Sequence, residues 1–181
     1  KMGLDGFAWW KARFRKMAEY FDAYRIDHVL GFFRIWQIPQ DAIHGLLGIF
    51  HPALPFTPEE LRTSYDFWID TDTMTTPLIM DWFIHDLFGD CTEEVKSAFL
   101  CDAGSGRWKL RPEFDTQKKV AEYFARQEKN EQNETICNAL LNVIDNVLFI
   151  EDPDEHGKYH PRISAQSTFA YRSLNDYQRW C

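Results

Sequence analysis

The tetrapeptide Arg25-Ile26-Asp27-His28 puts a cation, a carboxylate and an imidazole inside a run otherwise made of Tyr24, Val29, Leu30, Phe32, Phe33, Ile35 and Trp36. Aromatic and β-branched residues at this density predict a strand. Alternate residues of a strand face opposite ways, so Arg25 and Asp27 would share one face, and Tyr24, Ile26 and His28 the other. A guanidinium beside Asp27 favours the ionised carboxylate, which suits a nucleophile and not a proton donor. A structural ion pair buried at a strand end would use the same residues, and the triplet alone does not separate the two.

The wider pattern does more. Arg25-Ile26-Asp27-His28 is followed by Gly31-Phe32 and by Trp36-Gln37-Ile38-Pro39, and preceded by Gly6-Phe7-Ala8-Trp9-Trp10 and Arg13-Phe14. Together these resemble the amylomaltases, the 4-alpha-glucanotransferases or disproportionating enzymes of the α-amylase-like clan. The resemblance covers about the first forty residues closely. It implies an α/β fold, with this segment ending the fourth strand of a (β/α)8 TIM barrel. Asp27 would be the catalytic nucleophile, Arg25 would orient it and keep it ionised, and His28 would hydrogen-bond sugar hydroxyls. Trp36 would support or line the pocket, with core packing as the other reading. Many amylomaltases carry Arg where this chain has Leu30, so a sugar contact from that position is absent. Val29 to Trp36 looks more like the plant-cytosolic type of disproportionating enzyme, which carries a long insertion after this segment.

The helix expected to support that strand runs from about Asp5 to Asp22, a length of about 27 Å. Phe7, Trp10, Phe14, Met17 and Phe21 recur at helical spacing, Asp5 is a fair N-cap, and Trp9 lies off the stripe. Gly45, Gly48, Pro52 and Pro55 then interrupt any long helix. His44 and His51 in this stretch read as surface or glycan-edge histidines, lacking the clustered partners of a metal site. Thr57-Pro58-Glu59-Glu60 signals a helix start. Asp66, Asp70 and Asp72 lack the glycine and terminal Glu of a calcium loop. Thr76-Pro77 opens a helix through Phe88, with His85 packed and Gly89 closing it. Thr92 opens the next helix, Gly104-Ser105-Gly106 reads as a turn, and two further helices follow, one beginning at Asp115 and one spanning Ile136 to Val147. Lys158 to Ile163 reads as extended, and Asn175 as a cap.

These elements predict three regions. Residues 1–39 hold the barrel helix and nucleophile strand, 40–160 a mostly helical insertion, and 161–181 a return towards the barrel. With 181 residues the chain is short of the roughly 250 a TIM barrel needs, so it reads as a fragment. Retaining glycosyl transfer uses two carboxyl groups about 5–5.5 Å apart. In the resembled family the acid/base Glu and a transition-state Asp lie on later strands, expected beyond Cys181. Glu151-Asp152-Pro153 is not assigned as a substitute.

A net charge of −8, from 20 basic and 28 acidic residues, argues against a phosphate-tracking surface, so nucleic acid is not an expected partner. Maltooligosaccharides and α-glucans are the partners the resemblance implies, with no cofactor and no metal. Seven tryptophans suit either a core or platforms for sugar rings. Cys91, Cys101, Cys137 and Cys181 form no C-x-x-C pair and read as reduced thiols of a cytoplasmic protein. No apolar run approaches a membrane span. An incomplete barrel would expose strand edges, which favours self-association. Two rival readings are a non-catalytic carbohydrate-binding or interaction module and an α-glucan hydrolase.

Overall fold

A computed structural model describes residues 3–25 and 27–181. Its two compact units are residues 1–34 and 35–181.

The first unit holds helix α1, Ala8–Ala18. The helix starts later than its apolar stripe because Gly6 and Phe7 have φ of 61° and 60°, left-handed values that a right-handed helix cannot continue through. Asp5 still serves the terminus, its carboxylate accepting the Ala8 N–H at 3.3 Å. Trp10, Phe14 and Met17 are half-buried, as the stripe requires, but no α1 residue is fully buried. Trp10 stacks on Phe14 and Phe14 on Tyr24, with ring centroids 5.4 and 5.1 Å apart.

The expected strand through Asp27 is not present among the described residues. Tyr24 and Arg25 have no regular structure, Asp27 lies in a bend, and a 3-10 turn occupies Val29–Phe32. Ile26, expected to share a face with Tyr24 and His28, lies outside the described residues. A strand exists by exchanging backbone hydrogen bonds with a neighbour. The described residues of this unit contain no other extended segment to pair with.

The second unit begins with a hairpin of β1 (Ile35–Gln37) and β2 (Ile49–His51), in which Trp36 faces Phe50. Helix α2 (Pro58–Tyr65) has the full capping box foreseen at Thr57, whose hydroxyl accepts the Glu60 N–H while Glu60 accepts the Thr57 N–H. Asp70 caps the short α3 (Thr71–Met74). The segment after Pro77 is not helical at first. It forms β3 (Ile79–Met80), and α4 follows from Asp81 to Phe88. Tertiary pairing overrides the local Thr-Pro signal here: Leu78 exchanges hydrogen bonds with Asn146, through its N–H to the Asn146 carbonyl and from the Asn146 amide to its own carbonyl. His85 is exposed, not packed, because Phe83, Ile84 and Phe88 take the inward positions of α4.

Helix α5 (Thr92–Phe99) runs into a hairpin of β4 (Leu100–Gly104) and β5 (Arg107–Leu110), with β5 central between β3 and β4. Gly104, Ser105 and Gly106 turn it with φ of 83°, 54° and 71°. Helices α6 (Gln117–Phe124) and α7 (Glu131–Ile144) are capped by Thr116 and Asn130. A third sheet pairs β6 (Phe149–Glu151) with β7 (Tyr159–Pro161). Two short helices follow, α8 (Phe169–Arg172) and α9 (Asp176–Trp180), the latter with a capping box between Asn175 and Gln178.

Two apolar cores hold this unit. Ile84, Phe88, Val95, Phe99, Val120 and Leu140 centre the first, where α4 to α7 pack together. Leu61, Phe67, Met74, Phe83, Phe149 and Leu174 centre the second. α4 serves both, through Ile84 on one side and Phe83 on the other. The architecture is mixed α/β with small antiparallel sheets. Neither a barrel nor a parallel strand pair occurs among the described residues. A barrel closes only when eight parallel strands pair in a ring.

Candidate active site

Arg25 and Asp27 do meet. Arg25 Nε lies 2.8 Å from Asp27 Oδ1, with the two side chains 86% and 78% exposed. Among the described residues no strand aligns them, and Asp27 lies in a bend. Both side chains of the pair are open to solvent. His28 follows with φ of 51°, and its carbonyl accepts the Gly31 N–H at 2.9 Å. The imidazole lies over Gly31, where an added Cβ would come within 3.0 Å of His28 Cδ2. The glycine therefore lets the ring fold back along the turn.

Trp36 belongs to the second unit and is half-buried. Its indole N–H donates to the Gly45 carbonyl at 3.0 Å, and Phe50 meets it edge-on at 4.8 Å. A Cβ on buried Gly48 would fall 2.4 Å from Trp36 Nε1, so only glycine admits the ring. Trp36 thus clamps the β1–β2 connection with its polar edge already engaged.

Polar groups the sequence left unassigned form buried networks nearby in the same unit. His44 is no bare surface histidine: its Nδ1 lies 2.6 Å from Asp145 Oδ2. Gln117, 1% exposed, accepts the Ile43 and His44 N–H groups at 2.7 and 2.8 Å and donates to the Leu141 carbonyl at 3.0 Å. Asp152 is bonded to His160 at 2.7 Å and accepts the Asp154 and Glu155 N–H groups. Burial pushes the Asp152 carboxyl up, but those three hydrogen bonds outweigh it and hold the group below the usual carboxylate range. With all its partners inside the protein, Asp152 acts as a structural acceptor. A polar Asp-Asn pair at 145–146 inside an otherwise apolar run was the one sequence signal pointing to the Asp145 network. Asp66, Asp70 and Asp72 are dispersed: Asp66 accepts the Tyr177 hydroxyl and Asp70 caps α3. Among the described residues, no group of three or more His, Cys, Asp or Glu could hold a metal ion, and no helix is long and apolar enough to cross a membrane.

A family model described as 4-alpha-glucanotransferase matches residues 1–152. The chain belongs to the 4-alpha-glucanotransferase family. It is 34% identical to 4-alpha-glucanotransferase DPE2 of Oryza sativa subsp. japonica over 183 residues, which is 99% of this chain and 19% of that relative. Shorter matches join this 4-alpha-glucanotransferase family member to two others. The chloroplastic/amyloplastic 4-alpha-glucanotransferase of Solanum tuberosum is 40% identical over 47 residues, 26% of this chain and 8% of the relative. That of Synechocystis sp. is 44% identical over 48 residues, 26% of this chain and 10% of the relative. The chain therefore spans about a fifth of the rice protein's length. No solved structure matches it.

Proposed function

We propose that this chain is the part of a 4-alpha-glucanotransferase that supplies the nucleophile, and that in the complete enzyme residues 1–39 take up the fourth-strand position of a (β/α)8 barrel. The observation that carries the proposal is the solvent-facing Arg25–Asp27 pair within the family-matched segment. Substrates would be maltooligosaccharides and α-glucans, the class the family name implies.

In this reading an Asp27 oxygen attacks the anomeric carbon of a bound α-glucan. The C1–O4 bond breaks, and the leaving oxygen takes a proton from a carboxylic acid supplied by another part of the enzyme. The 4-hydroxyl of an acceptor glucan then gives its proton back to that carboxylate and attacks C1, releasing Asp27. Two inversions leave the α configuration intact. Arg25 is a positioning residue, its Nε 2.8 Å from Asp27 Oδ1 and so placed to aim the attacking carboxylate. His28 hydrogen-bonds donor-sugar hydroxyls.

Asp27→Asn in the complete enzyme should lower transfer between maltooligosaccharides by about three orders of magnitude or more while leaving oligosaccharide binding in place. Chromatography of products from maltotriose measures this, and near-normal transfer would end the nucleophile assignment. In this reading the proton donor belongs to another part of the enzyme, so the 181-residue chain itself should release no glucose from maltotriose.

A further inference from the structure

The connection between β1 and β2 has its backbone tied inward while several of its side chains face out. Gln117 takes the Ile43 and His44 N–H groups on one carboxamide oxygen, and its amide donates to the Leu141 carbonyl. On either side of these residues, the Gly45 carbonyl accepts the Trp36 indole N–H and the Asp41 carbonyl accepts the Lys118 N–H. Ile43 and Leu46 remain 54% and 37% exposed. A loop anchored in this way is a rigid scaffold for whatever its side chains meet.

His44 is fixed a second time through its ring. Nδ1 lies 2.6 Å from Asp145 Oδ2, with the Asp145 side chain 4% exposed and the His44 side chain 33%. A carboxylate only accepts, so the proton of this bond sits on Nδ1 and the lone pair of the neutral ring is on Nε2. Nε2 has no hydrogen-bond partner among the described residues and is not sealed from solvent. A buried carboxylate thus sets the tautomer, and the other ring nitrogen becomes an outward acceptor. It selects a ligand that donates, such as a hydroxyl. A metal ion would need further ligands, and the described residues hold no such group.

We propose that His44 contacts the glucan during transfer, its Nε2 accepting a hydrogen bond from a sugar hydroxyl, with Asp145 and Gln117 as positioning residues behind it. The inference rests on the reading that residues 1–39 take the fourth-strand position of a barrel, because the loop after such a strand lies on the face where barrel enzymes build their sites. The outward lone pair stands without that reading.

Two substitutions separate the roles of the two ring nitrogens. His44→Asn keeps a donor for Asp145 near the Nδ1 position and removes the outward acceptor, whereas His44→Gln carries a carboxamide oxygen out towards the Nε2 position. In the complete enzyme acting on maltotriose, His44→Asn should raise KM about fivefold to tenfold with a smaller change in kcat, and His44→Gln should stay within about threefold of the parent KM. The melting temperature of His44→Asn should stay within about 2 °C of the parent. An unchanged KM in His44→Asn, an equal rise in both variants, or a rise that accompanies a larger fall in melting temperature would overturn the contact. One measurement needs no variant: ring-nitrogen chemical shifts of His44 in the 181-residue chain at about pH 8 should show Nδ1 protonated and Nε2 bare, and a protonated Nε2 would overturn the acceptor role. Transfer lost in Asp27→Asn with KM unmoved in His44→Asn removes this contact and leaves the nucleophile assignment standing. The reverse pattern keeps the contact and removes the nucleophile.

Discussion

The two units treat their aromatic side chains in opposite ways. In the first, α1 carries Trp9, Trp10, Phe14 and nearby Tyr24, yet no residue of the helix is fully buried. In the second, Phe83, Phe88 and Phe99 are sealed inside two cores with Val95, Val120 and Leu140 at 0% exposure. The unit with the Arg25–Asp27 pair is thus poor in internal packing, and the larger unit is rich in it. In the proposed reading, the reacting pair and the well-packed cores belong to different stretches of this chain.

The largest expected effect sharpens this contrast. Leu140→Ala should cost about 2–5 kcal/mol of unfolding free energy, whereas Phe14→Ala should cost under about 1 kcal/mol. Urea denaturation of both variants measures the difference, and equal losses would abolish the distinction between the units.

Next comes the carboxylate pair. Asp152→Asn should destabilise by roughly 1.5–3 kcal/mol at neutral pH, since it removes buried, charge-assisted hydrogen bonds. Because the folded Asp152 pKa is depressed, its stabilisation is fully present above the unfolded value of about 3.9 and is lost as pH falls through the folded value. The parent chain should therefore lose more stability than Asp152→Asn between about pH 5 and pH 2, as thermal melts across that range would show. Parallel curves would remove Asp152 from the account. Arg25→Ala belongs at the other end of the scale, within about 0.5 kcal/mol, because an exposed pair contributes little to stability.

The glycines beneath aromatic rings give the finest comparison. At Gly48 a methyl would meet Trp36 at 2.4 Å and the Gln37 carbonyl at 2.9 Å, so Gly48→Ala should cost about 1–3 kcal/mol and shift tryptophan emission. At Gly31 the obstacle is the exposed His28 ring at 3.0 Å, which can swing aside. Gly31→Ala should therefore stay under about 0.5 kcal/mol and register chiefly as altered His28 ring resonances.

Local signals were the legible part of this fold. Thr57 and Asn175 announce their helices because a cap and its partner sit three residues apart. The Gly104-Ser105-Gly106 turn is equally local, but the strands on either side, with Cys101, Asp102 and Lys109, show no alternation to read. β3 was hidden by Thr76-Pro77 because its conformation is set by β5 and Asn146, far away in sequence. Around Asp27 the contact between Arg25 and the carboxylate was legible, but the expected strand is not found among the described residues, since a lone extended segment has no hydrogen-bonding neighbour to fix it. His44 and Asp145 could not be joined from sequence at all; only the fold brings them within 2.6 Å.

Gln117 has a further consequence. One side-chain amide ties the loop at Ile43 and His44 to the end of α7, and the Lys118 N–H adds a bond to the Asp41 carbonyl. That loop has no ladder of its own, yet its amide protons should exchange with solvent only when α6 and α7 separate. The stretch after Trp36 would then open as part of the helical pair, in one cooperative event, and not as an independently breathing surface segment.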